Sequence, residues 1–224
     1  MQSFSLTAAE LAVLMDHMTG GRLLDETAVL SDLEVNEQTF GEVEENLLEQ
    51  GLLISLPFEE ASGVTSQLAT VLAAALTPER VCIVRTIHQD HTDPLVIFSF
   101  TGESITRNTV PSPGEHVFTE LADQEEALTA ILSAGGALDA PNDLSASESQ
   151  PLEELLKDAQ RLVILMVVED PADAGAVAHS LAWVETGEGL WLVAGAGDGE
   201  TPLAQPVDVA GLRQRIGAVL EGQG

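Results

Sequence analysis

Apolar positions recur at helical spacing over the first eighty residues and then give way to runs and alternations typical of strands. Thr7-Ala8-Ala9-Glu10 reads as a capping box, its hydroxyl and carboxylate satisfying free backbone N–H groups, and Leu11, Leu14, Met15 and Met18 follow on one helical face. Gly20-Gly21 is the expected stop, and a short helix is expected near Glu26 to Leu33. A third helix is expected from Asn36 to Gln50, with Phe40, Val43 and Leu47 inward and Glu42, Glu45 and Glu49 outward, ending at Gly51. A fourth, Gly63 to Leu76, would bury Val64, Leu68, Val71, Leu72 and Ala75 before Pro78 closes it.

Strand signals begin at Arg80 to His88 and Pro94 to Thr101, two β-branched and aromatic runs separated by Gln89 to Asp93, the pattern of a hairpin. Ser104 to Val110 and Glu115 to Leu121 continue the meander, with turns at Gly102 and Pro111 to Gly114. Asp123 then caps a helix ending near Ser133. Residues 139–150 are polar and poor in large apolar groups, as expected of a linker. A short helix (Pro151 to Ala159), strands at Arg161 to Glu169, Ala176 to Glu185 and Leu190 to Ala194, and a closing helix (Val209 to Leu220) follow. The expected fold class is α+β: antiparallel meanders with flanking helices, a helical N-terminal segment, and halves at 1–138 and 151–224 sharing one sheet or forming two abutting sheets.

Charge changes this picture most. The chain of 224 residues carries 37 acids against 8 Lys and Arg, a formal charge of −29. Residues 1–60 hold 13 acids and one base, 61–140 hold 10 and 3, and 141–224 hold 14 and 4, so no acidic tail accounts for the excess. Such a surface repels phosphate backbones and anionic membranes, which leaves neutral or cationic partners. The apolar share of 45% supports a substantial core. Cys82 is the chain's one cysteine and lies within Val81-Cys82-Ile83-Val84, so an internal disulfide is excluded and a reducing compartment is expected. Glu10 and Asp16 interrupt the first apolar segment and no basic stretch precedes it, which argues against a signal peptide. Leu162 to Val168, the longest run of large apolar residues, is too short to cross a bilayer. A cytoplasmic location is expected.

The N-terminal helices leading into Leu52-Leu53-Ile54 have the outline of a winged helix. DNA reading needs cations there, yet no Lys or Arg lies between Leu23 and Glu79, and the would-be reading helix presents Glu42, Glu44, Glu45 and Glu49. A winged helix acting through protein contacts stays open. His88, Asp90, His91 and Asp93 place two imidazoles and two carboxylates within six residues, a ligand set on paper for a divalent metal, although a polar hairpin tip uses the same residue types. His116 and His179 sit on expected strands and read as structural. Gly195 to Glu200 departs from a dinucleotide loop, with Glu200 where the third glycine belongs, and reads as a turn. Nucleophile-elbow, zincin, Cys-x-x-Cys and phosphate-loop motifs are all missing, and the glutamate pairs at 44–45, 125–126 and 153–154 lie on solvated helix faces. The sequence therefore assigns no catalytic residue, no cofactor and no definite metal site.

Several segments together resemble the EspG family, cytosolic chaperones that escort particular substrates of type VII secretion. They are Leu6-Thr7-Ala8-Ala9-Glu10-Leu11, Glu49-Gln50-Gly51-Leu52-Leu53, Leu76-Thr77-Pro78-Glu79-Arg80-Val81, the hairpin His179 to Val193 and the closing amphipathic helix. The resemblance implies a quasi-two-fold α+β fold with a central antiparallel sheet and a role in binding an aggregation-prone partner protein. This chain departs from the family in being arginine-poor and more acidic.

The function expected is that of a non-catalytic protein-binding chaperone or adaptor whose partner is another protein, such as a secreted client. Contacts are expected from the tip at His88, His91 and Asp93 and from Glu103, Arg107 and Asn108 in the 101–114 segment. The alternatives are a metal-dependent hydrolase using the His88/His91 hairpin, or a winged-helix-like regulator acting by protein contacts. Phe98, Phe100, Trp183 and Trp191, the large strand aromatics, are expected in the core rather than at an interface.

Overall fold

The computed structural model describes residues 3–18, 37–55, 62–141, 148–169, 171, 177–194 and 202–222. In chain order the elements are β1 (Ser3–Thr7), α1 (Ala8–Met18), α2 (Glu37–Glu49), β2 (Leu53–Ser55), β3 (Ser62–Val64), α3 (Ser66–Leu76), β4 (Arg80–Ile87), β5 (Leu95–Thr101), β6 (Ser104–Val110) and β7 (Glu115–Leu121). They continue with α4 (Gln124–Ala134), a 3₁₀ turn (Ala137–Asp139), β8 (Gln150–Pro151), α5 (Leu152–Leu155), β9 (Ala159–Glu169), β10 (Val177–Thr186), β11 (Gly189–Val193), β12 (Leu203–Val207) and α6 (Val209–Leu220). The fold is α+β, a large antiparallel sheet with flanking helices, as the sequence predicts. Two compact units interleave along the chain: Met1–Glu79 with Phe98–Ala122, and Arg80–Ile97 with Asp123–Gly224.

In the first unit β1, β7, β6 and the second half of β5 lie in that order. β1 pairs antiparallel with β7, setting Leu6 opposite His116 and Ser3 opposite Thr119. The capping box forms as expected: Thr7 N–H donates to Glu10 Oε2 at 2.7 Å, and Glu10 N–H donates to Thr7 Oγ1 at 3.2 Å. Leu11, Val13 and Leu14 of α1, Leu47 of α2, Leu68, Val71 and Leu72 of α3, and Leu6 and Phe118 of the sheet form one buried cluster. Gly51, at φ 71°, ends α2 by letting Leu52 N–H reach back to Leu47 O at 2.9 Å and its own N–H to Leu48 O at 3.1 Å. Strand threonines tie the sheet to α3, with Thr106 Oγ1 donating to Val71 O at 3.2 Å and Thr101 Oγ1 to Ala74 O at 3.3 Å.

In the second unit the order is β4, β9, β10, β11, β12, β8. β4 runs antiparallel to β9 from Arg80 opposite Glu169 to Ile87 opposite Leu162, and β9 in turn pairs with β10. Val81, Cys82, Val84, Val163, Leu165, Val167, Trp183, Val184 and Trp191 are buried, with Ile131 and Leu132 of α4 and Leu212 and Ile216 of α6. Both helices are capped by aspartate: Asp123 Oδ1 accepts from Glu126 N–H at 2.8 Å, and Asp208 Oδ1 from Gly211 N–H at 2.6 Å. Arg213 of α6 pairs with Glu125 of α4 and reaches Thr129 Oγ1 at 3.3 Å.

Several expectations change. Ser3–Thr7 and Ser62–Val64 are strands inside the region read as helical, so α3 starts at Ser66 rather than Gly63. The helix expected over Pro151 to Ala159 is a single turn, because Ala159 already belongs to β9. β12 and the two-residue β8 escaped the pattern reading; β12 is short and contains Pro206. The helix expected at 26–33, the Gly20-Gly21 stop, the turn at 195–200 and positions 142–147 of the expected linker lie outside the described residues.

Candidate functional site

The hairpin tip brings three of its four polar candidates together. Antiparallel pairing of β4 continues into the loop through Ile87 opposite Thr92, and two backbone bonds close it: His88 N–H to His91 O at 2.8 Å and Asp93 N–H to Thr86 O at 3.0 Å. Gln89 Nε2 donates to Ala159 O at 3.4 Å, mooring the loop to the start of β9. On this frame the His88 and His91 rings stack, 4.2 Å between centroids and 5° between planes. His88 Nε2 lies 3.0 Å from Asp93 Oδ2, and His91 Nε2 lies 3.5 Å from Asp93 Oδ1. One ligand atom from each of His88, His91 and Asp93 falls within 4.8 Å of the others. Asp90 stands outside that group, its Oδ1 2.6 Å from His91 Nδ1, and this hydrogen bond holds its carboxyl below the usual carboxylate range. His91 is 58% exposed and His88 mostly buried, so the tip presents one imidazole face to solvent.

The remaining partner candidates lie in the first unit. Glu103 is exposed in the β5–β6 turn, where Gly102, at φ 56°, donates its N–H to Glu79 Oε2 at 3.2 Å. Arg107 is half-buried on β6 and its Nη2 reaches Thr119 Oγ1 at 3.4 Å. Asn108 is only 4% exposed and its Nδ2 donates to His116 Nδ1 at 3.2 Å, so it supports the strand from inside. His116 is thus buried and hydrogen-bonded, as a structural histidine should be. Of the aromatics, Phe98, Trp183 and Trp191 are fully buried and Phe100 half-buried, which places the first three in the core. Burial likewise pushes the Cys82 thiol up and leaves it unreactive.

Sequence reading missed a buried ion pair in the second unit. Register sets Glu185 of β10 opposite Arg161 of β9, and Arg161 Nε lies 2.6 Å from Glu185 Oε2. Glu185 is 3% exposed, and desolvation raises its carboxyl above the ordinary value while the Arg161 guanidinium and His88 pull the other way and Asp139 adds to the rise. Gly136, at φ 66°, lies against the Arg161 guanidinium, and Gly135 against the Trp183 indole; a Cβ at either would fall inside its neighbour. The only signal available was two charges inside strand-like runs. Pairing them requires the β9–β10 register, which local pattern does not supply.

In the winged-helix-like region α1 and α2 are followed by the β2–β3 ribbon, Leu53 opposite Val64. α2 turns Glu42, Glu45 and Glu49 outward, and Glu44 lies 3.1 Å from His17. Among the described residues no helix is long and apolar enough to cross a membrane.

No protein-family profile and no curated protein matches the chain. Among solved structures, the chain is similar to EspG5, the type VII secretion system chaperone of Mycobacterium tuberculosis, solved in complex with a PE25–PPE41 dimer. The identity is 11%, the TM-score is 0.68, and the match covers 99% of this chain and 96% of that one. At such identity the likeness speaks for architecture, and it extends over nearly the whole of both chains: this protein has an EspG-like fold.

Proposed function

We propose that the chain is a non-catalytic chaperone or adaptor that acts in the cytoplasm and holds another protein, a secreted client, in soluble form. The observation that carries this reading is the end-to-end likeness to EspG5, a chaperone whose solved complex contains a protein dimer. Charge supports it: at −29 the surface repels nucleic acid and anionic lipid, resists self-association and favours a partner with a neutral or basic face. The exposed tip of the β4–β5 hairpin around His91 and Asp93, and the β5–β6 turn at Glu103 beside Arg107, are the contact regions in this reading. Asn108 acts indirectly, by holding β6 through His116.

The test is affinity capture of the tagged protein from its native cytoplasm. One polypeptide in stoichiometric amount is expected, insoluble when expressed alone and released by Glu103→Lys. Capture of nucleic acid in place of a protein, or a client equally soluble without this chain, refutes the proposal.

A further inference from the structure

The hairpin tip has an arrangement that client binding does not require. A carboxylate only accepts hydrogen bonds, so the bond between Asp90 and His91 Nδ1 places the proton on Nδ1 and leaves Nε2 of the neutral ring with its lone pair. That lone pair faces Asp93 Oδ1, while His88 Nε2 by the same rule donates to Asp93 Oδ2 across 3.0 Å, a proton that an incoming metal ion displaces. Metal-binding histidines are characteristically held in this way, the far ring nitrogen donating to a carboxylate that sets tautomer and ring direction. Bonds of 2.0–2.1 Å to a tetrahedral zinc ion put neighbouring ligand atoms about 3.3 Å apart. His88 Nε2 and His91 Nε2 lie 3.0 Å and 3.5 Å from different oxygens of Asp93, Oδ2 and Oδ1, so the carboxylate spans the two rings, and one ligand atom from each of the three residues falls within 4.8 Å of the others. These separations close to the tetrahedral spacing by rotation of the Asp93 carboxylate and of the solvent-exposed His91 ring.

We propose that His88, His91 and Asp93 bind one divalent transition-metal ion of the zinc type, with Asp90 orienting His91 through Nδ1. Two imidazoles with a single carboxylate oxygen favour a borderline ion over magnesium or calcium, which take oxygen ligands. Three protein ligands leave a coordination position for water or for a partner's side chain. The loop's backbone bonds and its mooring through Gln89 fix the backbone that carries the ligands, and the negative surface draws cations towards them. The site is independent of the chaperone reading, and its test uses the purified protein without any client.

Chelator-treated full-length protein is titrated with Zn²⁺ in physiological salt and excess Mg²⁺, which occupies non-specific carboxylates, using calorimetry and competition with a chromophoric chelator. Co²⁺ serves as a spectroscopic probe of coordination. One ion per chain is expected, with affinity falling at least about tenfold in His91→Ala and His88→Ala, and about tenfold in Asp90→Asn, where every proposed ligand remains. His91 is exposed, so its loss does not threaten the fold, and circular dichroism checks each variant. Absence of stoichiometric Zn²⁺ binding by the unmodified protein, or unchanged affinity in His91→Ala, overturns the site; unchanged affinity in Asp90→Asn overturns the orienting role.

Discussion

Replacing Gly136 by alanine tests how the second unit is held together. The glycine follows α4 at φ 66° and ψ 6°, with its N–H on Ser133 O at 2.9 Å and its own carbonyl accepting from Asp139 N–H at 3.1 Å. Left-handed backbone costs a residue bearing a Cβ roughly 1–2 kcal/mol. The new methyl also falls inside the Arg161 guanidinium, which must swing away. A flexible arginine moves at little steric cost, so the larger loss is the ion pair it abandons, a charge contact without hydrogen-bond geometry to a glutamate 3% exposed. Leaving one member of a fully buried pair alone costs about 3–5 kcal/mol; Arg161 keeps 22% of its side chain in solvent, which lowers this to about 2–3 kcal/mol. The total, about 3–5 kcal/mol, corresponds to a fall of roughly 10 °C in the midpoint of the unit's transition. Urea unfolding followed by tryptophan fluorescence is the assay, since Trp183 and Trp191 are the chain's two tryptophans and both lie in this unit. In an Arg161→Ala background the same substitution should cost only the backbone term, leaving a coupling of about 2–3 kcal/mol. A loss below about 1 kcal/mol, or an equal loss in both backgrounds, refutes the reasoning.

The two buried tryptophans should respond differently to phenylalanine: Trp191 Nε1 donates to Thr186 Oγ1 at 3.3 Å, whereas Trp183 Nε1 has no partner among the described residues. Trp191→Phe is expected to cost about 1 kcal/mol more than Trp183→Phe in urea unfolding, and equal costs would count against the hydrogen bond. Glu185 makes stability depend on pH. Its folded carboxyl titrates above the unfolded value, so the folded chain binds more protons between the two, and its contribution is full below the ordinary glutamate range and is lost as pH rises through the raised value. The stability difference between the unmodified protein and Glu185→Gln should therefore shrink with rising pH in that window, by at most about 1.4 kcal/mol per pH unit; a difference that grows would reverse the assignment.

Elements whose stabilisation is local were legible from the chain itself. α6 runs over Val209–Leu220, β6 over Ser104–Val110 and β7 over Glu115–Leu121, all as the periodicity predicts, and the Thr7–Glu10 box and the Asp123 cap form from neighbours three residues apart. Charge argued against polyanionic partners without reference to any fold, because electrostatic repulsion needs no register. The hairpin tip was legible as a set of residue types, and the structure added the stacking of His88 on His91, their approach to Asp93 and the hydrogen bond that sets Asp90 apart on His91 Nδ1. Some short strands stayed hidden: β1, β8 and β12 take their hydrogen-bond partners from strands elsewhere in the chain, and the three-residue β3 takes its own from β2. The meeting of Glu185 with Arg161 over Gly136, like the interleaving of the two compact units, joins positions far apart in sequence. Periodicity records which face of an element is apolar; which face it meets is decided by long-range pairing, and that is where tertiary structure had the final word.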